Sequence, residues 1–346
     1  MPENLLSSFS IIKRGRTTFY VKNKYKDVLL NLDIDSLRKE AIEKGDIRSG
    51  REPHAVIHIP ELSEERIIIR HSRHGGLFGY IAGDIFCKGN RFINELIASE
   101  TAIEKGVNTA EIIAVIKHRA FGPFYHIDVL SKEIPDSLDL VEFLTNPQQR
   151  LKFTERKNII EVVAQTIRKM HDAGLYHTDL HLKNILIQYS TTPYSPPSQG
   201  GDKVKQFMTT PQSPPSQGGD KGVVKQYLFS EDFFPSMGEE YPQVPSPSMG
   251  EGKGGGDIKA YIIDMDKAKT MNVVSTKLRV RNLSRLDRSV EKLKALAKLK
   301  IETIPSKTDK LRLFKAYTGC DAEMKQYIKM PPRSYRLHRL LWRLSF

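Results

Sequence analysis

Cysteine is almost missing from this chain, with Cys87 and Cys320 the only two in 346 residues. Two cysteines cannot build a disulfide framework, and neither stands at metal-ligand spacing, which suits a reducing cytosol. Apolar runs are short, such as Ile67–Ile69 and Ile262–Ile263, where a membrane-spanning helix needs roughly 20 apolar residues. The first residues, Met1–Ser10, lack the basic start and apolar stretch of a signal peptide, so a cytoplasmic location is expected. Acidic residues are in deficit. Lys and Arg total 54 against 41 Asp and Glu, a formal net charge of +13. Such a surplus suits anionic partners (nucleic acid, an acidic membrane face or phosphorylated substrates), but on charge alone a basic, solvated surface is the simpler reading. Neither zinc-finger spacing nor the aromatic-basic signature of an RNA-binding sheet is present, so no nucleic-acid partner is expected.

What is there falls into three parts. Thr17–Leu32 alternates apolar and polar residues and reads as strand and turn; Ala55–Ile59 and Arg66–His71 read as strands around Pro60. Asn90–Lys105 has helical spacing, with Phe92, Leu96, Ile97 and Ile103 on one side and Gly106 as a stop. Two further strands are expected at Glu111–Lys117 and Tyr125–Ser131. Beyond them the period becomes helical, at Leu138–Leu144 and at Thr154–Ala173, with Gly174 as a cap. Strands first and helices afterwards predict an α+β fold of two lobes, residues 1–132 β-rich and residues 133–346 mainly helical. Between Ser190 and Gly256 the composition collapses to Pro, Ser, Gly and Gln. SPPSQGGDK occurs at Ser195–Lys203 and again at Ser213–Lys221, and PSMGE at Pro235–Glu239 and Pro247–Glu251. Residues 190–256 cannot bury enough apolar surface to offset their ordering entropy, so they are expected to be a disordered, low-complexity insert in the second lobe. Short apolar strands, Asn184–Tyr189 and Ala260–Asp264, flank it. A long insertion at such a hairpin tip adds little closure cost, although a proline-bearing binding arm is a second reading.

The chemistry concentrates in His177-Thr178-Asp179-Leu180-His181-Leu182-Lys183-Asn184, which runs into the apolar strand Ile185–Ile187. His-x-Asp, then Asn five residues after the Asp, then a strand is the layout of a kinase catalytic loop. Asp179 would accept the proton of an acceptor hydroxyl, Asn184 would hold Mg²⁺, and His177 would bond backbone as a structural residue. Tyr261-Ile262-Ile263-Asp264-Met265-Asp266 supplies the companion: an apolar strand that delivers Asp264 to magnesium between the phosphates of ATP. In Ile67-Ile68-Ile69-Arg70 an arginine occupies the place of the strand lysine that binds phosphates, with Glu95 on the next helix as its partner. Arginine grips phosphate bidentately; a surface arginine at a strand end is the alternative. Arg73-His74-Gly75-Gly76 either lies over phosphates or makes a plain turn. Asp266 replaces the glycine of D-F-G, His181 replaces a lysine usual in protein kinases, and no A-P-E segment follows. The basic helix Leu278–Lys298 begins too soon for an activation loop, so a compact acceptor fits better than a protein.

Taken in order, these stretches resemble the lipopolysaccharide kinase family. The resemblance lies in Ile69-Arg70-His71 with Arg73-His74-Gly75-Gly76-Leu77, in Arg91-Phe92 with Glu95, and in Tyr176–Leu180 with Asn184-Ile185-Leu186. It continues through Ile263–Lys267 and Arg281–Leu286, with Arg288-Ser289 and Lys292-Leu293. It implies a protein-kinase-like fold and transfer of phosphate from ATP, with Mg²⁺, to a hydroxyl of the lipopolysaccharide inner core. The nearest resemblance is to members acting on 3-deoxy-D-manno-octulosonic acid (Kdo), usually at the 4-hydroxyl of Kdo linked to a lipid A precursor. Heptose kinases share the core motifs and are the alternative; an atypical protein kinase or a non-catalytic anion-binding module are others. The implied location is the cytoplasmic face of the inner membrane, held peripherally. Arg281, Arg285 and Arg288 either bind acidic sugars or lipid phosphates or form a solvated face. On a helix over Pro332–Phe346, Arg336, Arg339 and Arg343 lie beside a leucine stripe, which suits an anionic membrane surface or a terminal helix packed on the second lobe.

Overall fold

The computed structural model describes residues 7–48, 54–62, 66–73, 83–87, 91–145, 153–189, 258–296, 305–319 and 321–322. The chain divides into one unit of Met1–Ser190 with Asp257–Phe346 and a second of Thr191–Gly256, which lies outside the described residues. The predicted terminal helix from Pro332 also lies outside them, as do Cys320, His74, Gly75 and Gly76.

The first half is one antiparallel sheet. Its strands are β1 (Phe9–Arg14), β2 (Thr17–Lys22), β3 (Ile47–Arg48), β4 (His54–His58), β5 (Arg66–His71), β6 (Phe86–Cys87), β7 (Ile112–Arg119) and β8 (Phe124–Lys132). They pair in the order β1-β2-β7-β8-β5-β4-β3, with β6 on β8. Alternation decides which side chains go inward: Ile67 and Ile69 of β5 are buried with Ile57, Ile113 and Leu130, while Arg70 between the sheet positions points the other way. Two helices precede β3: α1 (Lys26–Leu29) and α2 (Ile34–Lys44). Asp33 caps α2 by accepting from the Ser36 N–H at 3.2 Å, and Gly45 ends it in the left-handed region at φ +79°. Neither helix was foreseen from the sequence.

Helix α3 (Arg91–Glu104) crosses from this half to the next. Phe92 and Leu96 pack in the sheet core, and Ala98 and Ala102 in the helical core. Ile103 was expected inside but is 38% exposed, because it lies three turns on from Phe92, past the residues the sheet covers. Leu138–Leu144 is likewise only partly helical: Ser137–Asp139 is a strand, β9, and the helix α4 runs Leu140–Thr145. Asp139 explains the switch, accepting from the Val141 and Glu142 N–H groups at 2.7 and 2.8 Å as an N-cap.

Helix α5 (Phe153–Asp172) buries Ile159, Val163, Ile167 and Met170, a stripe at helical spacing. It packs with α6 (Thr276–Leu296), whose Leu283, Leu286, Val290 and Leu293 are also buried, and with α7 (Lys307–Thr318). Fully burying each such side chain contributes about 1.5–3 kcal/mol. Ser306 and Asp309 form a capping box at the start of α7. Short strands complete this half: β10 (Leu175–Tyr176) with β13 (Lys269–Thr270), and β11 (Ile185–Tyr189) with β12 (Ile258–Ile262) and β9. The register from Ile185↔Ile262 to Tyr189↔Ile258 makes β11 and β12 a hairpin. The ladder ends at Ile262, two residues before the Asp264 that the sequence reading placed at its end. The fold is α+β: a sheet with one crossing helix, then helices with a short hairpin.

Candidate active site

The catalytic loop is built between two backbone anchors. Gly174 adopts φ +78° after α5, and its carbonyl accepts from the Met271 N–H at 2.9 Å. A Cβ there would stand 2.1 Å from the Met271 carbonyl oxygen, so only glycine lets the strand leading into His177 approach so closely. His177 follows, 1% exposed. Its Nδ1 accepts from the Asp179 N–H at 3.2 Å. Its proton is therefore on Nε2, which donates to the Ile263 carbonyl at 3.0 Å. Burial keeps this imidazole below its ordinary pKa, hence neutral. His177 thus joins the loop of Asp179 to the residue before Asp264 through both ring nitrogens.

Asn184 is held from both sides. Its Nδ2 donates to the Asp179 carbonyl at 3.0 Å, and its own carbonyl accepts from the Ile263 N–H at 3.0 Å. With the amide nitrogen engaged in the loop, the amide oxygen is directed away from it. Asp264 sits at φ +61°, one of two non-glycine residues with positive φ among those described, a conformation aspartate tolerates better than most residues. Its Oδ1 accepts from Arg70 Nη1 at 3.0 Å, and Arg70 Nη2 pairs with the buried Glu95 on α3. Burial works against the Arg70 charge, and Glu95 with Asp264 outweighs it. The pairing expected for Arg70 and Glu95 is therefore present, and it continues to Asp264. The Asp179 side chain is 46% exposed, with His181 Nε2 4.0 Å from its Oδ2, open to an incoming hydroxyl. Oxygen donors at Asn184 and Asp264 suit Mg²⁺, a hard cation.

Behind the loop lies a buried relay that the sequence reading did not find. Asn282 on α6 donates its Nδ2 to the His177 carbonyl at 2.6 Å, so its Oδ1 must accept from His171 Nε2, 2.9 Å away. His171 Nδ1 then accepts from the Tyr317 hydroxyl at 2.7 Å. His171, Asn282 and Tyr317 are each 0% exposed. Burial pushes the His171 imidazole down to about 4. The available signal was a polar residue inside an apolar helical stripe, at His171 on α5 and at Asn282 on α6.

Asp266 is buried on the single turn Met265–Lys267 after Asp264. Arg73 is exposed just beyond β5. Arg281 is exposed on α6, and Arg285 and Arg288 are half-buried there. Gly75, Gly76, Arg336, Arg339 and Arg343 lie outside the described residues. A separate polar group, also unforeseen, brings ligand atoms of His71, Asp84 and His126 within 4.8 Å of one another, and His71 Nδ1 lies 2.7 Å from Asp128.

These residues stand in the order and contacts expected of a kinase-type site, and comparison with known proteins finds the following similarities. Residues 64–195 match the Lipopolysaccharide kinase (Kdo/WaaP) family. The curated relatives include a 3-deoxy-D-manno-octulosonic acid kinase of Vibrio cholerae serotype O1, 35% identical over 133 residues, which is 37% of this chain and 53% of that protein. Another, from Vibrio vulnificus strain YJ016, is 32% identical over 148 residues, 42% of this chain and 58% of the relative. The chain spans about half the length of the curated relatives it matches. A solved structure described as WaaP in complex with acyl carrier protein gives a TM-score of 0.47 at 16% identity, covering 92% of this chain and 98% of that one. The resemblance read from the motifs is thus a match to the lipopolysaccharide kinase family, and the matched stretch contains Arg70, Glu95, His177, Asp179 and Asn184.

Proposed function

We propose that this protein is a kinase that transfers the γ-phosphate of ATP to a hydroxyl of Kdo, the 4-hydroxyl, on a lipid-A-linked acceptor. The observation that carries the reading is the direct connection of the two half-sites: His177 ties Asp179 to Ile263, and Arg70 ties Asp264 to Glu95. In this reading residues 1–132 hold the nucleotide and residues 133–346 supply the catalytic loop, with 190–256 an insert. Asp179 orients the acceptor hydroxyl and takes its proton as the new P–O bond forms. Arg70 binds phosphate oxygens, positioned by Glu95, and Arg73, Gly75 and Gly76 are the residues that would border the same nucleotide. Asn184 and Asp264 are the residues that would hold Mg²⁺, which when bound neutralises phosphate charge. His177 and Asp266 support the loops. Arg336, Arg339 and Arg343 would bring the protein to the anionic cytoplasmic face where the acceptor resides.

The test is transfer of labelled phosphate from ATP-Mg²⁺ to Kdo-linked lipid A precursor and, separately, to a heptose-bearing core. Wild type should phosphorylate the Kdo acceptor, and Asp179→Asn should lose about 10²–10⁴-fold in turnover. Transfer to the heptose acceptor alone would overturn the choice of sugar, and full activity in the variant would remove Asp179 from the reaction.

A further inference from the structure

We infer that Arg285 and Arg288, with Arg281 at their edge, form a site for an oxyanion of the acceptor beside the catalytic loop, a carboxylate of an acidic sugar or a phosphate ester on the same lipid. The inference rests on the kinase reading for the word acceptor, but the site itself stands on geometry. Residues 281, 285 and 288 recur at four and three, so they share one side of α6. The adjoining strip of the helix is fastened to the loop at two points. Asn282 donates to the His177 carbonyl at 2.6 Å, and Ser289 Oγ accepts from the Leu182 N–H at 3.2 Å. These anchors bracket Arg285 and Arg288 and set the basic strip alongside the segment that carries Asp179.

The arginines are also electrostatically unfinished. Nε of Arg285 and Nε of Arg288 are buried and have no hydrogen-bond partner among the described residues. A solvated face would leave those nitrogens to water, whereas buried donors without partners cost stability. Nearby cations are treated differently: Arg279 pairs with Asp172, and Lys310 takes both Asp287 and Glu291, the carboxylates of α6 closest in sequence. Burial, and then the neighbouring Arg285 and Arg281, bring the Arg288 pKa below its ordinary value. Like charges crowded with unmet donors are what an incoming oxyanion would relieve, since guanidinium binds carboxylate and phosphate through paired N–H groups. Kdo is itself a carboxylic acid, and lipid A precursors carry phosphates, so either source presents the same chemistry.

The experiment uses the full chain with Arg285→Gln, Arg288→Gln and Arg288→Lys, each first shown by thermal melting to be folded. Binding of free Kdo and of inorganic phosphate is measured calorimetrically, and turnover on Kdo-linked lipid A precursor is measured with and without its phosphates removed. Wild type should bind one of the two anions, and the glutamine variants should weaken that binding about tenfold or more. The same variants should raise KM for the acceptor by a similar factor while leaving KM for ATP within about twofold. Binding of Kdo, with turnover indifferent to dephosphorylation of the acceptor, identifies the carboxylate; binding of phosphate, with dephosphorylation reproducing the variant KM, identifies the ester. Arg288→Lys, which keeps the charge but not the fork, should fall between. No binding of either anion by wild type, unchanged binding in the variants, or a rise in the ATP KM alone overturns the proposal. Anion binding lost in the variants, in a protein that transfers phosphate to no acceptor, would uphold the site and overturn the kinase reading instead.

Discussion

Acidification should withdraw the stability that one buried imidazole confers. His171 is fully enclosed, and its two nitrogens are committed, one donating to Asn282 and the other accepting from Tyr317. A proton added at Nδ1 would meet the Tyr317 hydroxyl proton and would be buried without a counterion in contact. Its pKa falls to about 4 from 6.5, chiefly through burial. The unfolded chain therefore takes up this proton before the folded one does. The stability His171 confers is complete above pH 6.5, declines as pH falls from 6.5 towards 4, and is exhausted below that. Each unit of difference is worth 1.36 kcal/mol, so the whole decline is about 3 kcal/mol. Asp139 opposes it: burial raises its carboxyl to about 6 from 3.8, so its contribution grows over nearly the same window as pH falls. Wild-type stability can consequently look flat, and the informative quantity is a difference. Urea unfolding followed by circular dichroism, for wild type and His171→Gln at half-unit steps from pH 4.5 to 7.5, supplies it. The gap between the two proteins should be constant at the alkaline end and shrink steadily below pH 6.5. A gap independent of pH would refute the assignment, as would an imidazole that titrates in the folded protein near 6.5 by proton resonance.

Three further outcomes are expected. Gly174→Ala combines left-handed strain with a Cβ 2.1 Å from the Met271 carbonyl oxygen, and should cost roughly 2–5 kcal/mol by equilibrium unfolding; a loss below about 1 kcal/mol would show that the loop relaxes freely. Asp264→Ala should abolish Mg²⁺-dependent transfer while the fold persists by circular dichroism, and an active variant would remove Asp264 from the metal site. Replacing residues 191–255 by a short turn should leave turnover within about threefold, because closure entropy changes only logarithmically with loop length; loss of folding or turnover would give the insert a role.

How much the sequence discloses depends on how local the cause is. His177, Asp179 and Asn184 are legible because a loop of eight residues fixes their relations, and the strand after them fixes its direction. Arg70 and Glu95 are legible because one strand and the next helix place them. Helices with few apolar side chains were not: α2 buries only Ile34 and Ala41 along its length, too sparse a stripe to stand out. The relay of His171, Asn282 and Tyr317 escaped for another reason. Its members lie 111 and 146 residues apart, and each alone reads as a polar interruption of a helix. Arg285 and Arg288 were visible as charges, but that their Nε atoms are buried and unmatched is a property of packing.

The hairpin of β11 and β12 has a practical consequence. Tyr189 and Ile258 face each other across the ladder, so the chain leaves and re-enters the helical half at adjacent points. Position along the polypeptide and position in space are decoupled there. A folded reporter whose own ends lie close together, such as a fluorescent barrel, can be grafted between those two residues while the ladder keeps Ile185 paired with Ile262. The tip is thus a natural port for labelling, through which the working protein can be followed in the cell without adding a tag at either terminus.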